Sequence, residues 1–191
     1  MANHVTNWIS VYGNADTLKE VACIQNDFIQ RSNLRGSTGS IDMAAVGVVL
    51  YGLSEETPSP TGHKWVSFEY CGDGVLTFVS ANHSVPELQD QLTFRLSKLD
   101  QRVITLMEWD DWPQECGVRI TFLKDHVLQS FEARSTSSDM IGLGGSGIVF
   151  EDCTEDEIDN DRKWSALEKC REDVISKAAN DCSWVRKSLL S

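Results

Sequence analysis

Apolar and polar residues alternate with two different periods along this chain, and each change of period predicts a new element. Residues 8–12 alternate in a period of two ahead of Gly13, which predicts a strand that ends in a turn. From Ala15 to about Arg31 the apolar residues recur at helical spacing, behind Asn14 as a helix cap. The chain is therefore expected to open with a strand and a helix.

The period of two returns at Lys64, where residues 64–70 and 75–79 predict two strands joined by a turn at 71–74. Ser84, Pro86 and Glu87 then provide a serine cap, a first-turn proline and a capping-box glutamate, which predict a short helix from Val85 to Gln91. Residues 92–96 alternate again and predict a half-buried strand, followed by strands at 103–109, 118–123 and 127–133. Residues 124–126 are expected to form the turn of the last pair.

The C-terminal part predicts one long helix. A capping box at residues 154–157 opens it, and one apolar face continues to Leu190. An unbroken helix of that length would measure ~54 Å at ~1.5 Å per residue, which is longer than a small sheet is wide. We therefore expect a break near Asn180, or packing against a second copy in a homodimer.

The predicted order of strand, helix, hairpin, helix and strand is that of a ferredoxin-like α+β fold. In this fold helices cover one face of an antiparallel sheet, and here extra strands and the long C-terminal helix are added. We expect residues 1–150 to form this domain, with an insertion around 41–63. Residues 151–191 are expected to form the C-terminal helix, packed on the same domain.

Several short motifs carry a resemblance to a known family. They are Asn3-His4-Val5-Thr6-Asn7 followed by a glycine and a helix, Gly39-Ser40-Ile41-Asp42, Lys64-Trp65, and the acidic segment from Glu108 to Gly117. Over roughly residues 3–132 the chain resembles the Api92-like or YubB ferredoxin-like family of phage- and plasmid-encoded proteins. The resemblance implies the ferredoxin-like fold and a mobile-element origin inside a bacterial host, and it brings no established activity.

Composition narrows the classes of partner. The 191 residues carry a formal net charge of −12, which repels a phosphate backbone and attracts basic protein surfaces. No apolar run is long enough to span a bilayer and no secretion signal opens the chain, so a cytoplasmic location is expected. The six cysteines contain no Cys-x-x-Cys pair and are expected to be free thiols, with no metal and no cofactor.

Two motifs match catalytic or cofactor patterns by letter only. The glycines at 142, 144 and 147 have the dinucleotide spacing, but neither the preceding strand nor the following helix of that motif is predicted, so a loop is expected. His4-Val5-Thr6 has the form of one half of a two-histidine phosphoesterase site, and the second half is absent. We therefore expect no catalytic residues and no enzyme.

Two acidic segments are the candidate partner-binding surface. The first is expected to be an exposed loop in which carboxylates and tryptophans together attract cations. The second lies at the start of the C-terminal helix, where negative charge also favours the helix dipole. The candidate residues are Glu108, Trp109, Asp110, Asp111, Trp112 and Glu115 in the first segment, and Glu151, Asp152, Glu155 and Asp156 in the second.

These patterns predict a non-enzymatic binding protein that occupies the basic surface of a host nucleic-acid-handling defence protein, as an inhibitor of the anti-CRISPR or anti-restriction type. Two alternatives stay open. The first is a nucleic-acid-binding ferredoxin-like module that uses Arg95 and Arg119 on the polar side of the sheet. The second is a hydrolase whose site is assembled from dispersed residues such as His4, His83 and Asp110.

Overall fold

A six-stranded antiparallel sheet organises the protein. The computed structural model describes residues 4–34, 66–70, 74–81, 84–111, 115–136 and 155–189. In chain order the elements are β1 (His4–Tyr12), α1 (Ala15–Leu34), β2 (Val66–Tyr70), β3 (Val75–Ala81), α2 (Pro86–Leu96), β4 (Ile104–Asp111), β5 (Glu115–Lys124), β6 (Val127–Thr136), α3 (Glu155–Asp181) and α4 (Ser183–Leu189).

The strand order is β2-β3-β1-β4-β5-β6, and every neighbouring pair is antiparallel. The first four strands with α1 and α2 have the ferredoxin-like arrangement, and β5 and β6 extend the sheet beyond β4. The predicted α+β, ferredoxin-like class with added strands is therefore confirmed. The expected insertion at 41–63 and the glycine-rich stretch at 142–147 lie outside the described residues.

Alternate residues of β4 point to opposite faces and build two cores. Met107 and Trp109 belong to the core beneath α1 and α2. Ile104 and Leu106 belong to a second core, which α3 and α4 cover with residues such as Leu167, Val174 and Val185. The two predicted helices thus share one face of the sheet, and the C-terminal helix packs on the other face over β5 and β6.

The start of α1 confirms the predicted asparagine cap. Asn14 Oδ1 accepts hydrogen bonds from the backbone N–H groups of Asp16 at 3.1 Å and Thr17 at 2.9 Å. These bonds satisfy two of the donors that a helix leaves free at its N-terminus. The predicted turn between β5 and β6 is also present, with Asp125 and His126 both in the left-handed region (φ 51° and 64°).

The predicted strand at residues 92–96 is wrong, because α2 continues through it to Leu96. Leu88, Leu92 and Leu96 are buried at a spacing of four, whereas Phe94 is 47% exposed. A short run of alternating apolar residues is compatible with a strand and with a helix. Here a helix forms because it extends the buried face that begins at Leu88. The predicted serine cap is wrong too: Val85 holds the cap position without a side-chain bond.

A buried asparagine joins β1, β3 and the start of α2. The Asn7 amide nitrogen lies 3.0 Å from Val5 O, 3.2 Å from Phe78 O and 3.0 Å from Ser80 Oγ. Its Oδ1 accepts a hydrogen bond from the Val85 N–H at 3.1 Å. Asn7 therefore fixes the chain where β3 leads into α2, which gives a structural role to the last residue of the Asn3–Asn7 motif.

The C-terminal helix breaks close to the expected position. α3 ends at Asp181 and α4 begins at Ser183, with Cys182 between them. Trp184 of α4 packs edge-on against Phe122 of β5 at 5.7 Å between ring centroids. The break lets the chain follow the sheet instead of extending beyond it.

Candidate functional site

The described residues of the first acidic segment lie in strands and not in the exposed loop that the sequence predicts: Glu108 to Asp111 end β4, and Glu115 begins β5. β4 runs through Asp111, and its side chains alternate between the two faces of the sheet. Glu108 and Asp110 therefore point toward α3, while Trp109 and Asp111 point toward the face that carries α1 and α2. The predicted cluster is divided between the two faces.

The carboxylates that face α3 have partners within the chain. Arg171 Nε and Nη2 donate to Glu108 Oε1 at 2.9 and 2.6 Å. Lys163 Nζ donates to Asp110 Oδ2 at 2.9 Å. Both carboxylate side chains keep less than a fifth of their surface exposed (16% and 18%), so these pairs hold α3 against β4.

Trp109 is fully buried and cannot meet a partner in this structure. Its indole lies across Gly117, the residue directly opposite on β5. The indole N–H donates to Glu115 Oε1 at 3.2 Å, and the Arg134 guanidinium lies 5.5 Å from the ring centroid. Trp109 and Glu115 therefore belong to the packing of the β4–β5–β6 corner.

The remaining predicted site residues are only partly described. Trp112, Glu151 and Asp152 lie outside the described residues. Glu155 and Asp156 are the first two residues of α3, and their side chains are outside the description. Asp111 is nearly buried at 9% exposure and makes a polar interaction of its own.

A stripe on the outer side of α3 presents free carboxylates around an exposed tryptophan. We call Asp161, Trp164, Glu168 and Glu172 the acidic stripe, because spacings of three and four residues place them along one side of a helix. Trp164 is 50% exposed, and the three carboxylates are exposed. None of these three carboxylates has a hydrogen-bond or ion-pair partner in the part of the chain that the structure describes.

Most basic side chains of α3 already have a partner, including Arg162 next to Asp161. Lys163 and Arg171 bind the carboxylates of β4. Lys177 pairs with Asp173 at 2.6 Å. Lys169 lines a groove beside β6. Arg186 of α4 lines a groove together with Glu172, but no hydrogen bond or ion pair joins the two side chains within the described residues.

Sequence reasoning missed Trp164, and the signal was present. The apolar face of the C-terminal helix runs through Leu167, Cys170 and Val174, which are buried. Trp164 precedes Leu167 by three residues, so it lies at the margin of that face rather than at its centre. A large apolar side chain at such a margin, with acids three residues before and four after it, is the pattern that identifies the acidic stripe.

The arginines of the nucleic-acid alternative do not form a basic surface on the sheet. Arg95 lies on α2 rather than on a strand, and it donates to Glu20 of α1 at 3.0 Å. Arg119 does lie on β5, but it is 9% exposed and pairs with Asp90 at 2.8 Å. Its guanidinium also donates to Gln89 Oε1 at 2.9 Å and to Ser130 Oγ at 2.9 Å. Both arginines thus act within the fold.

Burial or a hydrogen-bond partner shifts the pKa of several other titratable groups near α3. Burial raises the pKa of the Cys116 thiol to about 12, with Cys170 across the same core as the next cause. Burial also raises the pKa of Tyr12, an effect that the charge of Arg171 opposes. A hydrogen bond to Asp181 raises the pKa of Lys124. These shifts favour the neutral thiol and phenol and the charged amine.

The described residues contain no group of three or more histidine, cysteine or acidic side chains placed to hold a metal ion. Of the dispersed hydrolase residues, Asp110 is paired with Lys163. The side chain of His4 and the whole of His83 lie outside the description. Cys23, Cys116, Cys170 and Cys182 are free thiols, as expected for the cysteines that can be followed.

Searches against protein-family models, curated proteins and solved structures give no match to this chain. None of the helices in the described ranges is both long and apolar enough to cross a membrane.

Proposed function

We propose that this protein is a non-enzymatic binding protein whose acidic stripe on α3 engages a basic surface of another protein. The observation that carries the proposal is the exposure of Trp164 among three carboxylates that have no partner within the described residues. Exposed tryptophans often dominate the binding energy of an interface, and unpaired charges around them select a partner of opposite sign. The formal net charge of −12 also attracts a basic partner at longer range.

The spacing of the acidic stripe favours a protein partner over imitation of a nucleic acid. Asp161, Glu168 and Glu172 place three carboxylates along twelve residues, and the first and last are ~17 Å apart along the helix at ~1.5 Å per residue. Duplex DNA carries about one charge per 1.7 Å of its axis, several times more. A stripe of this density suits a few lysine or arginine side chains, and Trp164 adds apolar contact that a phosphate backbone lacks.

A host nucleic-acid-handling defence protein is the partner class that we propose. Such proteins have basic grooves for their substrates, so an acidic protein bound at the groove competes with the nucleic acid. The short motifs that resemble phage- and plasmid-encoded proteins support the same direction. Inhibition of this kind weakens as salt rises, because exposed charge pairs are screened over about 8–10 Å at physiological ionic strength.

The experiment compares two variants of equal charge. The stripe variant is Glu168→Gln/Glu172→Gln, and the control variant is Asp27→Asn/Asp125→Asn, which removes two exposed carboxylates elsewhere. Asparagine suits the left-handed backbone at position 125. DNA cleavage by a panel of purified restriction and RNA-guided nucleases is measured with each protein present at increasing concentration.

We expect inhibition of at least one nuclease, with about fivefold weaker potency for the stripe variant and less than twofold for the control. Two exposed ion pairs at about 0.5 kcal/mol each correspond to that fivefold change. If the two variants inhibit equally, net charge rather than the acidic stripe determines binding. If no nuclease is inhibited at low salt, the proposed partner class is wrong.

A further inference from the structure

Lys163 connects the acidic stripe to the sheet. Its Nζ donates to Asp110 Oδ2 at 2.9 Å and lies 5.5 Å from the ring centroid of Trp164. The Lys163 and Asp110 side chains are each 18% exposed, so the pair is largely shielded from water. A cation held at that distance from an indole is attracted by the ring. Trp164 is therefore held by a contact that begins on β4.

The Lys163 charge does not repel an incoming cation strongly, because Asp110 neutralises it at 2.9 Å. Half of the Trp164 surface remains exposed beside Asp161 and Glu168, which lie three residues before it and four residues after it. An aromatic surface flanked by carboxylates fits a guanidinium, which is planar, stacks on rings and forms paired hydrogen bonds to carboxylates. The compact ammonium of lysine gains less from the same arrangement.

We propose that Trp164, Asp161 and Glu168 form an arginine-binding position on α3, and that Asp110 and Lys163 are positioning residues that orient the indole. This inference rests on the proposed function and specifies its partner: a basic protein surface that presents an arginine at the centre of the contact. Charge complementarity supports this occupant, because the three carboxylates are exposed and have no partner in the part of the chain that the structure describes. A lysine-only surface or an apolar partner would bind more weakly.

The test uses hexa-arginine and hexa-lysine peptides with the full-length protein. Dissociation constants are measured at low and physiological salt, and the indole N–H resonance of Trp164 is followed by NMR after assignment with Trp164→Phe. We expect hexa-arginine to bind several times more tightly than hexa-lysine and to shift the Trp164 resonance most. Trp164→Ala should weaken hexa-arginine binding at least tenfold, and Trp164→Leu, which keeps apolar area without a ring, should weaken it nearly as much.

The positioning role is tested by two substitutions that each break one ion pair between β4 and α3. Asp110→Asn frees Lys163 and should weaken hexa-arginine binding about threefold while shifting the unliganded Trp164 resonance. Glu108→Gln breaks the pair with Arg171 instead and should leave both unchanged. Equal effects of the two substitutions would overturn the positioning role.

The outcomes separate this inference from the proposed function. If Asp161→Asn/Glu168→Gln weakens hexa-arginine binding but Trp164→Ala does not, the proposed arginine position is wrong. The acidic stripe would still be the proposed binding surface. If hexa-arginine and hexa-lysine bind equally, with equal shifts at Trp164, the preference for a guanidinium is wrong. If neither peptide binds at low salt, both the arginine position and the proposed function are overturned.

Discussion

Replacing Gly117 with alanine should destabilise the protein strongly without affecting its acidic stripe. A Cβ at position 117 would lie 2.2 Å from Trp109 Cζ2, 2.5 Å from Cη2 and 2.8 Å from the backbone oxygen of Ala133. The indole cannot move aside freely, because it is fully buried, bonded to Glu115 and covered by Arg134. Overfilling of a packed core costs about 1–3 kcal/mol. Since one of these contacts is backbone, we expect the upper end, about 3 kcal/mol.

For a chain of this size that loss lowers the melting temperature by about 6–12 °C. Urea unfolding followed by far-UV circular dichroism measures the free energy, and scanning calorimetry measures the melting temperature. Gly13→Ala is the comparison: its nearest contacts, at 2.8 to 3.1 Å, all belong to the Thr17 side chain and none to the backbone. We expect it to cost less than Gly117→Ala, about 1 kcal/mol. If Gly117→Ala lowers the free energy of unfolding by less than about 0.5 kcal/mol, Trp109 does not pack on Gly117. Trp109 would then again be a candidate residue for partner binding.

Three further predictions concern buried polar groups. Asn7→Ala should cost about 2–3 kcal/mol in urea unfolding, because the Val85 N–H loses its acceptor, and a cost below about 0.5 kcal/mol would contradict the proposed role of Asn7. Arg119→Met should cost about 3 kcal/mol, since Asp90 and Gln89 lose their shared partner, and a neutral effect would show that Arg119 is dispensable. Cys116 should resist iodoacetamide at pH 8 while exposed Cys23 reacts. Its raised pKa also predicts a loss of stability as pH rises from about 9 to about 12, because the unfolded thiol ionises first. Cys116→Ala should reduce this loss, while the part due to the raised pKa of Tyr12 remains, and an unchanged pH profile would contradict the role of Cys116.

The order of elements could be predicted from the sequence because local signals mark most of them. Asn14, the change of period at Lys64 and the turn residues before Val127 each depend on neighbours within a few positions. The strand predicted at 92–96 fails for the same reason. Five alternating residues contain too little information, and only packing of Leu92 and Leu96 against the sheet decides between helix and strand.

The candidate site was harder to predict because it depends on long-range partners. Glu108 and Asp110 look like an exposed acidic segment until Arg171 and Lys163, more than fifty residues later, are placed opposite them. The burial of Trp109 depends on the register that places Gly117 across from it. Only three-dimensional pairing shows which of the described carboxylates have no partner, and for this reason we propose the acidic stripe of α3 rather than β4 as the binding surface.

Carbodiimide coupling of a hexa-lysine peptide to the folded protein tests this central claim most directly. Carbodiimide joins the lysine amine to carboxylates that lie in contact with it, and mass spectrometry of the digested product identifies the coupled residues. We expect coupling at Asp161, Glu168 and Glu172, and its suppression by salt, with little at Glu108 or Asp110. Coupling concentrated at Glu108 and Asp110, with the α3 carboxylates unmodified, would contradict the account.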